Sequence, residues 1–142
     1  MIENGTDTGL IENLGPYFEI FADWNLHDAE LRNIRVEAPA GAAMALELEV
    51  WCDGGWRRPD LMDPRPRAYC VTLRFDGVRT LLLADFGAPR IMGALLLTAL
   101  APSGGNGPRR RAVYEPCVGG GFELECASIV VVSVVPVGGP AA

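Results

Sequence analysis

Lysine and glutamine are absent from the 142 residues, and histidine occurs once, as His27. Without lysine there is no G-x-x-x-x-G-K-[ST] phosphate loop, so Gly104 to Gly107 and Gly119 to Gly121 read as turns. One histidine means that any Ser/His/Asp or Cys/His catalysis would have to use His27, and no serine lies in a G-x-S-x-G elbow. The four cysteines, Cys52, Cys70, Cys117 and Cys126, form no CxxC pair, which leaves a zinc site little support. They are expected to be reduced, mostly buried thiols. No window reaches the ~20 apolar residues needed to span a bilayer, and the acidic start, Met1 to Asp7, lacks the basic and apolar regions of a secretory signal. A cytoplasmic location is the expectation.

What is present fits one domain, residues 1–142, with 1–9 and 137–142 expected to be flexible. Nearly half the residues are apolar, which argues against disorder, while 17 Gly and 11 Pro suit many short elements joined by turns. The net charge of −6 is uneven: residues 1–53 hold eleven acids and two arginines, residues 54–114 four acids and ten arginines. Acidic regions of this kind can steer a molecule toward a basic partner, although most surface charge only keeps a protein soluble. Arg109-Arg110-Arg111 is not interleaved with aromatics, and nucleic-acid binding is not expected of an acidic chain without lysine.

Residues 10–23 place Leu10, Leu14, Phe18 and Phe21 at helical spacing, with Pro16 near a helix start. Beyond Leu26 the pattern is that of strands. In 29–37 the alternation breaks between Leu31 and Ile34, which predicts a bulge. In 44–52, Met44, Leu46, Leu48, Val50 and Cys52 face one way, and Ala45, Glu47, Glu49 and Trp51 the other. In 68–76, Tyr69, Val71, Leu73 and Phe75 share a face, and keeping the apolar faces together sets Glu47 opposite Arg74. Asp76-Gly77 between Phe75 and Val78 predicts a two-residue hairpin, with Arg74 facing Arg79. Segments 91–100 and 126–135 are apolar on both faces and predict strands covered on both sides; 109–115 and 122–126 predict shorter ones. The expected fold is mainly β with α+β as the alternative: an antiparallel sheet, a two-layer sandwich or a partly open barrel, of about eight strands with a short N-terminal helix.

The cluster Trp24-Asn25-Leu26-His27-Asp28-Ala29-Glu30 could in principle bind metal or move protons. In an extended segment, however, His27 and Asp28 point to opposite faces, so a structural role at the helix-to-strand junction is preferred. No catalytic, cofactor or metal site is expected. Candidate partner-binding residues are Glu47, Glu49 and Trp51 on one outer strand face, and Glu123 and Glu125 on another. Trp56, Arg57, Arg58 and Asp60 in the 53–67 loop complete the set. A solvated face is the plain reading of the acids, but a tryptophan on a polar strand face is a plausible interface anchor.

The segment Trp24, Leu26-His27-Asp28-Ala29-Glu30-Leu31 and Ile34 resembles the W-x-FHDAEV motif of the immunity protein 50 family of bacterial polymorphic-toxin systems. Val71-Thr72-Leu73-Arg74-Phe75-Asp76-Gly77-Val78 with Leu81-Leu82-Leu83 resembles the family's central strand pair, and Phe122 to Ile129 its closing strands. The likeness runs in order over roughly residues 20–132. Leu26 stands where the family usually has Phe, Asn25 where Pro is common nearby, and Leu31 where it has Val. The resemblance implies a small cytoplasmic, non-enzymatic protein that neutralises a cognate protein toxin by direct association, without cofactors, and Trp24, His27, Asp28 and Glu30 would be its structural motif. A basic toxin would suit the acidic surface. The alternatives are a small β domain holding an apolar ligand in a deep pocket, or a structural subunit that self-associates.

Overall fold

A computed structural model describes residues 2–3, 6–26, 29–53, 68–84, 91–100, 109–118 and 121–137. The strands are β1 (Ile2–Glu3), β2 (Thr6–Asp7), β3 (Ile11–Glu12), β4 (Glu30–Glu37), β5 (Met44–Asp53), β6 (Ala68–Val78), β7 (Thr80–Ala84), β8 (Ile91–Leu100), β9 (Arg109–Val118), β10 (Gly121–Cys126) and β11 (Ser128–Pro136). A 3-10 turn covers Thr8–Leu10 and one helix, α1, covers Gly15–Phe18. The protein is therefore mainly β, and its pairings are dominated by antiparallel ones.

The hydrogen-bonded path is β3-β11-β6-β5-β4-β8-β9-β10-β7. It divides into two sheets, β3-β11-β6-β5-β4 and β8-β9-β10-β7, joined by one pair between β4 and β8, Glu30 with Ile91. Chain continuity makes the second junction. β6 and β7 are separated only by Arg79, β10 and β11 only by Ala127, and the pairing runs on from Asp76–Ser128 to Thr80–Glu125. They are two long strands, bent together, that pass from one sheet to the other.

This corrects the hairpin expected at Asp76-Gly77. Gly77 does take a positive φ of 63°, but the glycine serves a bend and not a reversal. Ala127 N–H donates to the Asp76 carbonyl at 2.8 Å and Arg79 N–H to the Glu125 carbonyl at 2.9 Å, so the ladder survives the bend. Arg74 does not face Arg79. It faces Glu47 in the register that the apolar faces of β5 and β6 impose.

The core lies between the sheets. Leu46, Leu48 and Val50 from β5 and Val71, Leu73 and Phe75 from β6 are sealed from solvent with Leu95, Leu97, Ala112, Tyr114, Phe122 and Leu124 from the other sheet. Phe75 and Phe122 meet edge-on at 6.0 Å between ring centres, a favoured aromatic geometry. The expected bulge in β4 is present: pairing with β5 slips between Leu31 and Asn33.

The short N-terminal helix is present as the four-residue α1, while Ile11 and Glu12 before it pair parallel with Ile129 and Val130 of β11. At the start of the chain β1 pairs with β2, and Thr6 pairs with Leu97 of β8. One further expectation, strands covered on both faces, is corrected: in β8 Leu95 and Leu97 are interior while Thr98 on the opposite face is exposed, and in β11 Ile129 and Val131 are interior while Val132 and Val135 are exposed. Among the described residues no helix is long and apolar enough to cross a membrane.

Candidate functional site

Trp24 is 1% exposed and belongs to an aromatic cap over one end of the core. Tyr17 lies 4.9 Å from Trp24 and from Phe21, and Phe21 meets Tyr69 edge-on at 5.7 Å. The Tyr17 hydroxyl donates to the Asp23 carbonyl at 2.8 Å and accepts from Asn25 N–H at 3.1 Å. Leu26, Ala29 and Leu31 are buried, and Ala29 N–H closes a turn onto the Leu26 carbonyl at 3.0 Å. Glu30 then begins β4 at the position paired with both Trp51 and Ile91, where the two sheets join. His27 and Asp28 lie outside the described residues. Among the described residues no group of three or more His, Cys, Asp or Glu side chains could hold a metal ion.

The outer face of β4, β5 and β6 carries the strongest candidate surface. Glu30, Trp51, Cys70 and Val135 form one cross-strand row. Arg32 is the extra residue in the β4 bulge, and its guanidinium carbon sits 3.7 Å from the centre of the Trp51 ring. A bulge re-aims a side chain, and here it lays a cation on an aromatic face while Glu30 holds the Arg32 Nε at 3.2 Å. Val135, 48% exposed, ends the row on β11. The half-buried Cys70 thiol is pushed up by burial and by the neighbouring Glu49, against a hydrogen bond from Thr72.

The next rows explain the acids. Asn33, Glu49, Thr72 and Ser133 lie side by side, with Glu49 partly exposed. Glu47 contacts Arg35 at 2.8 Å and Arg74 at 3.4 Å, Arg74 also contacts Asp76 at 2.8 Å, and Arg35 contacts Glu37 at 3.3 Å. Glu47 thus spends its charge inside a network of five groups, and Glu49 is the better placed of the two to meet a partner. Over this face Glu30, Glu37, Glu47, Glu49 and Asp76 outnumber Arg32, Arg35 and Arg74, so it is acidic.

Glu123 and Glu125 are on the outer face of the other sheet. Arg111 Nε donates to Glu123 at 2.8 Å, and Glu125 lies 3.8 Å from the Arg109 Nε. The structure therefore does not bring them together with Glu49 and Trp51. Trp56, Arg57, Arg58 and Asp60 lie outside the described residues. Sequence reading missed Arg32. The break in alternation after Leu31 was its signal, because a bulged residue can share the face of its neighbour. No family model, curated protein or solved structure matches the chain.

Proposed function

We propose that this chain is an immunity protein that binds and neutralises a cognate bacterial toxin in the cytoplasm, with the acidic face around Trp51 and Glu49 as the binding surface. The observation that carries the reading is the ordered motif Trp24, His27-Asp28-Ala29-Glu30 and its downstream strands, which resemble the immunity protein 50 family. The surface assignment rests on chemistry. Trp51 offers a flat apolar area, already held in one orientation by Arg32, at the edge of an acidic field. Rigid aromatic anchors ringed by polar groups are typical of interface hot spots, and complementary charge speeds association. A basic toxin domain matches both features. Neutralisation by association needs neither cofactor nor catalysis.

Co-expression with the protein encoded immediately upstream tests the proposal. Rescue of growth from that protein's toxicity is the expected result. A harmless neighbour that does not co-purify with the chain would overturn it.

A further inference from the structure

β7 ends the hydrogen-bonded path, with β10 as its one neighbour among the described strands. Its sequence, Thr80-Leu81-Leu82-Leu83-Ala84, contains no charge, no proline and no bulge. Leu82 is 70% exposed on the outer face and Leu83 46% exposed on the inner one. Edge strands are usually protected by charge, proline or irregularity, because an open row of N–H and C=O groups recruits another strand. The apolar surface also continues inward from β7, as a shallow concavity of about 240 Å³ lined by Leu82, Val113, Tyr114, Gly121, Phe122 and Glu123.

We infer that β7 is a self-association edge, and that two copies of this chain pair through it antiparallel about a two-fold axis. The occupant must be an extended strand, because only a strand satisfies the open ladder, and it must be apolar on both faces. β7 meets both demands for itself. The two-fold sets Leu82 against its own counterpart, Leu81 against Leu83 and Thr80 against Ala84, with no charge in the pairing. Isologous contacts of this kind close as dimers and do not propagate.

The acidic balance of the chain does not oppose the contact. The nearest acid in the Leu82 row is Glu123, which is already paired with Arg111. In the dimer the two Glu123 residues would stand three strand spacings apart, about 14 Å, beyond the screening length of about 8 Å at physiological salt. A five-residue strand pair is well short of the roughly 1,200–2,000 Å² of a stable interface, so the dimer is concentration-dependent, with a Kd in the micromolar range. It leaves Trp51 and Glu49 free, on the other sheet.

Sedimentation velocity on the full chain, from about 1 to about 500 µM, brackets that affinity. The expected result is a monomer–dimer equilibrium. Leu82→Lys places like charges opposite each other and should weaken it by about tenfold or more, with an unchanged melting temperature because the side chain is exposed. Leu82→Cys should form an intermolecular disulfide on oxidation, which wild type and Thr98→Cys do not form. A wild type that stays monomeric throughout, or a Leu82→Lys protein that dimerises as well as wild type, would overturn the inference. Toxin rescue reads the other surface: loss of dimerisation with rescue intact removes only this inference, and loss of rescue with dimerisation intact removes only the immunity reading.

Discussion

Replacing Gly77 by alanine perturbs the point where the two bent strands cross from one sheet to the other. The residue has φ 63°, a left-handed backbone that costs an L-residue about 1–2 kcal/mol. An added Cβ would also stand 2.8 Å from the Ala127 Cβ, a contact that forces the strands apart. Overpacking of this kind costs about 1–3 kcal/mol, while the less flexible unfolded chain returns about 0.4–1 kcal/mol. The strands cannot yield freely, because Ala127 N–H is bound to the Asp76 carbonyl and Arg109 donates to the Gly77 carbonyl at 3.0 Å. The net expectation for Gly77→Ala is a loss of about 2–3 kcal/mol, or a fall of roughly 6–12 °C in melting temperature. Urea unfolding of Gly77→Ala, Ala127→Gly and the double variant separates the two causes. Ala127→Gly removes the clash but not the strained φ, so the double variant should recover about 1–2 kcal/mol relative to additivity. A Gly77→Ala protein within 0.5 kcal/mol of wild type would refute the account of the bend, and additive effects would refute the clash.

Other parts of the fold give further expectations. Asn13, at φ 61°, donates its Nδ2 to the Val131 carbonyl at 2.7 Å, next to the register shift in β11; Asn13→Ala should cost about 1–2 kcal/mol by urea unfolding. Glu47→Gln should cost no more than about 1 kcal/mol, with the difference shrinking at high salt, because its Arg35 partner is exposed. Burial pushes the Cys52 thiol up from 9.0 to about 12, with the charge of Cys70 adding to it. The folded state therefore keeps a proton that the unfolded state releases above pH 9, so stability is fully present below pH 9 and falls as pH rises toward 12. Cys52→Ser should flatten that fall in a pH series of melting curves.

Much of this arrangement was legible in the sequence. Alternation in 44–52 and 68–76 placed Leu46, Leu48, Val50, Cys52, Tyr69, Val71, Leu73 and Phe75 on the buried face, and from that the pairing of Glu47 with Arg74 followed. The bulge after Leu31 was legible for the same reason: a period of two shows any inserted residue. The Asp76-Gly77 signal misled because a positive φ at glycine serves a bend as well as a reversal, and the deciding contact, Ala127, is 50 positions away in the chain. The apolar run 126–135 suggested two covered faces, yet Val132 and Val135 are exposed, since composition does not reveal whether a second layer exists. Within the candidate surface, Trp51 and Glu49 were legible from strand parity. Their separation from Glu123 and Glu125 was not, because it depends on which sheet each strand joins.

The most direct test of the proposed function is calorimetric titration of the purified chain with the toxin domain encoded immediately upstream, paired with an assay of that toxin's activity. The predicted result is tight one-to-one association that abolishes activity. Trp51→Ala should weaken it by about 30-fold or more, and Glu49→Arg should slow association and weaken it in a salt-dependent way, with both variants still unfolding cooperatively. An absence of binding, or full inhibition by both variants at wild-type affinity, would contradict the account.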